Sequence, residues 1–230
     1  MTTRPEFDAF AGDYDAALDD PWRQRFADHA DFFIDQKCRA MMNEVARRNG
    51  ATRPARVLDV GCGRGPGVRF LREQSWPTFG TDISMEMLRE APPALPLVAQ
   101  DATRLPFADN VFDVVFAICV YHHLGESERV AHLEEMTRVA RPGGLLFVFE
   151  HNPYNPVTRV IFRRAPIDQG CELIKPRALR GIFRGAGLRD IGTRYVLFFP
   201  QSIARHAAGL EDALGSVPFG GQYFVVGRKG

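Results

Sequence analysis

Three histidines in this chain stand where they could do proton chemistry: His122 and His123 in the stretch Tyr121-His122-His123-Leu124, and His151 directly after Glu150. Imidazole is the side chain whose ordinary proton affinity lies near neutrality, so each suits a general base, and each could also ligate zinc. A zinc site built from the three is poorly arranged, because His122 and His123 are adjacent and no cysteine or carboxylate stands at a supporting spacing. No metal is expected. His122, His123 and His151 are catalytic candidates, and packing or backbone positioning at a strand end is the alternative for the adjacent pair.

A second stretch could hold a ligand. In VLDVGCGRGPGVRFL, Val57 to Leu71, a branched apolar run carrying Asp59 leads into Gly61, Gly63 and Gly65, and Pro66 then opens an apolar-periodic segment. This reads as a buried strand, a glycine turn and a helix start. Glycines let the backbone reverse in a few residues and let a ligand approach without Cβ atoms in the way. A dinucleotide fingerprint would need glycine at the sixth position from Gly61, which is Pro66, so the G-x-G-x-G spacing argues against a nicotinamide cofactor. Asp82 follows Gly61 by twenty-one positions, about where an acid at the end of a second strand reaches ribose hydroxyls. Its alternative role is to cap, beside Ser84, the helix that follows.

The acid-x-Gly-x-Gly-x-Gly turn resembles the first motif of the class I S-adenosylmethionine-dependent methyltransferases. Phe7, Asp8, Ala11, Tyr14 and Asp15 resemble the entry segment of the small-molecule and quinone-type members, and Arg141-Pro142-Gly143-Gly144 resembles their turn into strand five. The resemblance implies S-adenosylmethionine as cofactor, held by Tyr14, Asp59, Gly61, Cys62, Gly63, Asp82, Ile83, Asp101, Ala102 and Cys119. Within that set Asp101 would bond the adenine amino group, and the backbone beside it would contact the ring. The activity implied is methyl transfer to an oxygen, nitrogen or carbon of a small-molecule acceptor. A non-catalytic S-adenosylmethionine-binding module is the alternative from another class, but Asp59, Asp82 and Asp101 are all intact. RNA and protein methyltransferases are a further alternative. They often carry an Asn-Pro-Pro-Tyr-type tetrapeptide after strand four, where this chain has Tyr121-His122-His123-Leu124.

The elements that must position these residues alternate in type. Helical spacing runs from Trp22 to Arg48; strands are predicted at Trp76–Thr81, Leu95–Gln100, Phe112–Val120 and Leu145–Glu150, with a helix at 126–140. A short helix capped by Asn155 interrupts the pattern between His151 and Lys175. A helix from Pro176 and strands at 189–199 and 221–228 close the chain. Alternating strands and helices predict an α/β, Rossmann-like, mostly parallel sheet covered on both faces. The resemblance supplies a seven-stranded order, 3-2-1-4-5-7-6 with strand 7 antiparallel. One domain is expected over residues 1–230, with 1–50 and 151–175 forming a lid in which Phe10, Trp22, Tyr154 and Phe162 contact the acceptor.

Composition sets the outer limits. The 230 residues, 45% hydrophobic, suffice for one substantial core. A net charge of +1 gives no electrostatic reason to expect a nucleic acid partner. Four dispersed cysteines and no secretory signal point to free thiols in the cytoplasm. The longest apolar run is too short for a bilayer, so no stable membrane insertion is expected. The partner expected is a small-molecule acceptor, and the protein a monomer or homodimer.

Overall fold

The structure, a computed structural model, describes residues 6–14, 20–29, 31–50, 53–101, 104–204 and 206–230. Its seven strands form one sheet in the order β3-β2-β1-β4-β5-β7-β6. They are β1 Val57–Val60, β2 Thr78–Asp82, β3 Leu97–Ala99, β4 Phe112–Ile118, β5 Ala140–His151, β6 Arg189–Val196 and β7 Gln222–Arg228. Strands β1 to β5 pair in parallel, whereas β7 runs antiparallel to both β5 and β6. The expected fold class and strand order are both observed.

The described helices are α1 Pro21–Gln24, α2 Asp31–Asn49, α3 Pro66–Glu73, α4 Met85–Arg89, α5 Glu126–Val139, α6 Pro156–Arg164, α7 Pro176–Gly185, α8 Gln201–Ala204 and α9 Ala208–Ala213. Side chains alternate across the strands and split the core in two. Leu58, Val60, Val115 and Ala117 pack with Leu133 and Met136 of α5 and Leu179 and Phe183 of α7. Val57, Val114 and Phe116 pack on the other face with Met41 and Val45 of α2 and Phe70 and Leu71 of α3.

Local signals set the helix ends. Ser84 Oγ accepts the Met87 N–H at 3.2 Å, and Asn155 Oδ1 accepts those of Val157 and Thr158 at 2.9 and 3.0 Å. Gly50 follows α2 at φ +69°, a conformation in which glycine carries no Cβ penalty. One expectation changes. Arg141-Pro142-Gly143-Gly144 is not a turn before a strand beginning at Leu145; it is an irregularity inside β5, which starts at Ala140. Ala140 pairs with Phe112, Leu145 with Val114, and the residues between them are accommodated as a bulge.

The order reverses between β1 and β4, so the crevice for a ligand opens past the carboxyl ends of these two strands. The glycine turn and the Val120–His123 segment meet there: a Cβ on Gly61 would lie 2.5 Å from Val120 Cγ2.

Candidate active site

A cavity of about 850 Å³ occupies this crevice. Along one wall, Gly61, Gly63 and Gly65 take φ values of +77°, +54° and +80°. The three glycines serve different ends. Cβ atoms on Gly61 and Gly65 would strike Val120 and Leu95, at 2.5 and 2.9 Å, so these two glycines permit close packing of the protein on itself. A Cβ on Gly63 would meet only the Met87 methyl, at 3.4 Å, so this position is bare toward the cavity. Asp82 holds the turn from the neighbouring strand, its Oδ2 accepting the Gly63 N–H at 2.7 Å and its Oδ1 the Ser84 N–H at 2.8 Å. Burial pushes its carboxyl up, and these backbone donors pull against that.

Asp59 is buried on the same wall, and its Oδ1 has no hydrogen-bond partner among the described residues. A buried acceptor left unpaired costs free energy, which a ligand donor would recover. With the bare Gly63, the second lone pairs of Asp82 and the orphaned Asp59 oxygen, the residues present suit a ligand rich in hydroxyl and amino donors. S-adenosylmethionine, with its ribose diol and two amino groups, is such a ligand. Tyr14, Cys62, Ile83, Asp101 and Cys119 line the same cavity, while Ala102 and Asp15 lie outside the described residues. Arg64 stacks over the Tyr14 ring at 5.2 Å, and burial pushes the Tyr14 phenol up to about 12.

Lys37 was not expected here. It is 2% exposed, lines the cavity, and its ammonium meets a sulfur, Cys119 Sγ, at 3.7 Å. A signal for it did exist: Lys37 falls on the helical stripe of Phe33, Ile34, Met41 and Val45, where an apolar residue would be the rule. Cys119, the residue after β4, has φ +56°, a sparsely populated conformation for a non-glycine residue. Burial pushes its thiol up, but the Lys37 and His151 side chains outweigh that and bring it down to about 7.

All three candidate histidines line the same cavity. His122 is locked between two acids that sequence reading did not single out. Its Nδ1 lies 2.8 Å from Glu150 Oε2 and its Nε2 lies 3.2 Å from Asp168 Oδ1. Glu150, at the buried end of β5, also accepts the backbone N–H groups of Tyr121, His122 and His151, at 2.9, 3.2 and 3.3 Å. Burial opposes a charge on His122, yet the two carboxylates outweigh it and hold the imidazole well above its ordinary range. Burial and the neighbouring His122 depress His123 to about 4. His123 Nδ1 lies 3.3 Å from Cys171 Sγ, and the Phe7 ring packs edge-on against the imidazole at 4.8 Å. His151 Nδ1 lies 3.2 Å from Gln222 Nε2.

The four residues expected to contact the acceptor stand elsewhere. Phe162 is buried behind the cluster, with ring centroids 5.5 Å from His122 and 5.3 Å from His151. Phe10, Trp22 and Tyr154 are not among the described residues that line the cavity; Trp22 and Tyr154 are 40% and 49% exposed. Val157 and Ile161 of α6, Phe198 and Phe219 line the cavity.

A family profile described as a methyltransferase domain matches residues 58–148, the glycine turn through β5. The trans-aconitate 2-methyltransferase of Azoarcus sp. (strain BH72) is 32% identical over 187 residues, which cover 78% of this chain and 67% of that protein. The demethylmenaquinone methyltransferase of Beutenbergia cavernae is 41% identical over 123 residues, 51% of this chain and 49% of that protein. With the demethylmenaquinone methyltransferases the match spans about half of the relatives' length. Among solved structures, an S-adenosylmethionine-dependent methyltransferase from Thermotoga maritima, described as a possible histamine N-methyltransferase, superposes with a TM-score of 0.65. It is 16% identical, over 97% of this chain and 98% of that one. The fold is Rossmann-like, and the glycine turn and cavity wall suit S-adenosylmethionine, the cofactor of these relatives. The chain belongs to the class I S-adenosylmethionine-dependent methyltransferases.

Proposed function

We propose that this protein transfers a methyl group from S-adenosylmethionine to an oxygen, nitrogen or carbon atom of a small-molecule acceptor. The observation that carries this reading is one continuous cavity lined both by the glycine turn, Asp59 and Asp82 and by the histidine cluster. Its volume of about 850 Å³ lies within the range of small-molecule and cofactor sites. When bound, the cofactor supplies a methyl group already activated by the positive charge on sulfur. The protein's part is then to align the acceptor, exclude water and accept a proton where the acceptor carries one.

Asp82 would take the ribose hydroxyls, Asp101 the adenine amino group, and Lys37, a buried cation beside a sulfur, the carboxylate of the methionine half. Of the three histidines we assign proton acceptance to His151. The two acids flanking His122 occupy both of its ring nitrogens and, outweighing burial, push its proton affinity well above the ordinary range, so it is not free to accept a proton from an acceptor. Burial and His122 depress His123 to about 4, which makes it a weak base. The His151–Lys175 insertion, bearing Val157, Ile161 and Asp168, would form the lid with the N-terminal segment bearing Tyr14. Free thiols at all four cysteines accord with a reducing cytoplasm as the working compartment. Among the described residues no helix is long and apolar enough to cross a membrane.

The test is incubation of the full chain with S-adenosylmethionine carrying a deuterated methyl group and fractionated small-molecule extracts, read by mass spectrometry. A labelled product, absent with Gly63→Val, is expected. Tight binding of the cofactor with no labelled product from any fraction would favour the non-catalytic binding module instead.

A further inference from the structure

The acids and histidines that line the cavity are arranged more specifically than proton acceptance requires. His122 Nε2 and His123 Nε2 both approach the same carboxylate oxygen, Asp168 Oδ1, at 3.2 and 3.7 Å. The three ligand atoms lie within 4.8 Å of one another. Three ligands at 2.0 to 2.2 Å from one tetrahedral zinc ion would be about 3.3 Å apart, so the triangle is close to the size an ion needs.

Each imidazole is also held from behind. His122 Nδ1 is bonded to Glu150 Oε2 at 2.8 Å, and His123 Nδ1 lies 3.3 Å from Cys171 Sγ. Metal-ligating histidines characteristically engage an outer partner through the other ring nitrogen, which fixes the ring and leaves one nitrogen for the ion. Two imidazoles and one carboxylate that all line the cavity form a donor set of the two-histidine-one-carboxylate kind.

We propose that His122, His123 and Asp168 form a three-ligand site for a divalent first-row transition ion, zinc in the first instance, with its open positions facing the acceptor. An ion there would lie between the His122 ring and the Asp168 carboxylate, which stand 3.2 Å apart, and its positive charge would face both Glu150 and Asp168. On the methyl-transfer reading, the ion would ligate an acceptor oxygen and ease loss of its proton to His151. The binding site itself does not depend on that reading. No sequence spacing announced it, because Asp168 is forty-six positions from His122 and reaches it only through the fold.

The experiment is calorimetric titration of the chelator-stripped full chain with Zn²⁺, and with Co²⁺ followed by visible absorption, without cofactor or acceptor. One equivalent of Zn²⁺ with micromolar or tighter affinity, and a tetrahedral or five-coordinate cobalt spectrum, is expected. Asp168→Ala and His123→Ala should weaken Zn²⁺ binding at least tenfold, and Glu150→Gln by about 10- to 100-fold. His206→Ala, remote from the cluster in the chain, should leave it unchanged. Circular dichroism screens each variant for folding. Should a ligand variant fail to fold, the cobalt spectrum of the wild-type chain decides, with charge-transfer bands from sulfur counting against this ligand set. No stoichiometric ion, or binding insensitive to the folded ligand variants, would overturn the site and leave a hydrogen-bonded cluster only. Either result can be read whether or not methyl transfer is found.

Discussion

Asp82 Oδ2 accepts the backbone N–H of Gly63 at 2.7 Å, so the acid that ends β2 also sets the shape of the turn that ends β1. Asp82→Ala therefore removes both a ligand acceptor and a support of the glycine turn. Hydrogen bonds to a charged group contribute about 1.5 to 3 kcal/mol, so affinity for S-adenosylhomocysteine should fall by about one to two orders of magnitude in calorimetry. Unchanged affinity would confine Asp82 to capping.

The three glycines should separate into two classes. Gly61→Ala places a methyl 2.5 Å from Val120 Cγ2 and should lower the melting temperature more than Gly63→Ala, whose nearest neighbour would be 3.4 Å away. Gly63→Val should instead abolish the thermal stabilisation produced by S-adenosylhomocysteine, since its side chain enters the ligand's space. A thermal-shift series showing the opposite ranking would rule out this division.

Cys119 should be the pH-sensitive thiol. With its thiol brought down to about 7 by Lys37 and His151 against the opposing effect of burial, the thiolate form grows as pH rises through that value. Iodoacetamide labelling read by peptide mass spectrometry should rise across the same range. Cys38 and Cys62, pushed well above the usual thiol range chiefly by burial, should stay unmodified. In Lys37→Met the inflection should move to higher pH; an unmoved inflection would remove Lys37 as its cause.

Phe162 and Tyr154 should part company. Phe162 is 5% exposed behind His122 and His151, so Phe162→Ala should cost about 3 to 5 kcal/mol of stability and lower turnover. Tyr154 is 49% exposed, and Tyr154→Ala should change stability by no more than about 0.5 kcal/mol. Denaturant titration and S-adenosylhomocysteine calorimetry check both, with cofactor affinity expected to stay within a few-fold in each. Equal losses for the two variants would undo the assignment.

The sequence by itself determined the frame and the cofactor wall. Alternating apolar strands, helix caps at Ser84 and Asn155, and the glycine turn are local signals: each depends on residues within a few positions of one another, and each is legible in the chain. That Asp59, Gly63 and Asp82 share one wall of the cavity is legible because the turn and the acid after β2 sit at nearly fixed distances along a βαβ unit. The surroundings of the histidines were decided only by the tertiary structure. Glu150 reads as the polar end of an apolar strand, and Asp168 as a loop acid in a proline-interrupted insertion, until the fold sets both against His122. Phe10, Trp22 and Tyr154 are aromatic residues in segments without a clear scaffold role, but aromatic content does not say which way a side chain points. Lys37 shows where the boundary falls. Its place on the apolar stripe of α2 is written in the sequence, but its meeting with Cys119, eighty-two positions away, follows from the packing of that helix on the sheet face that carries Val57, Val114 and Phe116.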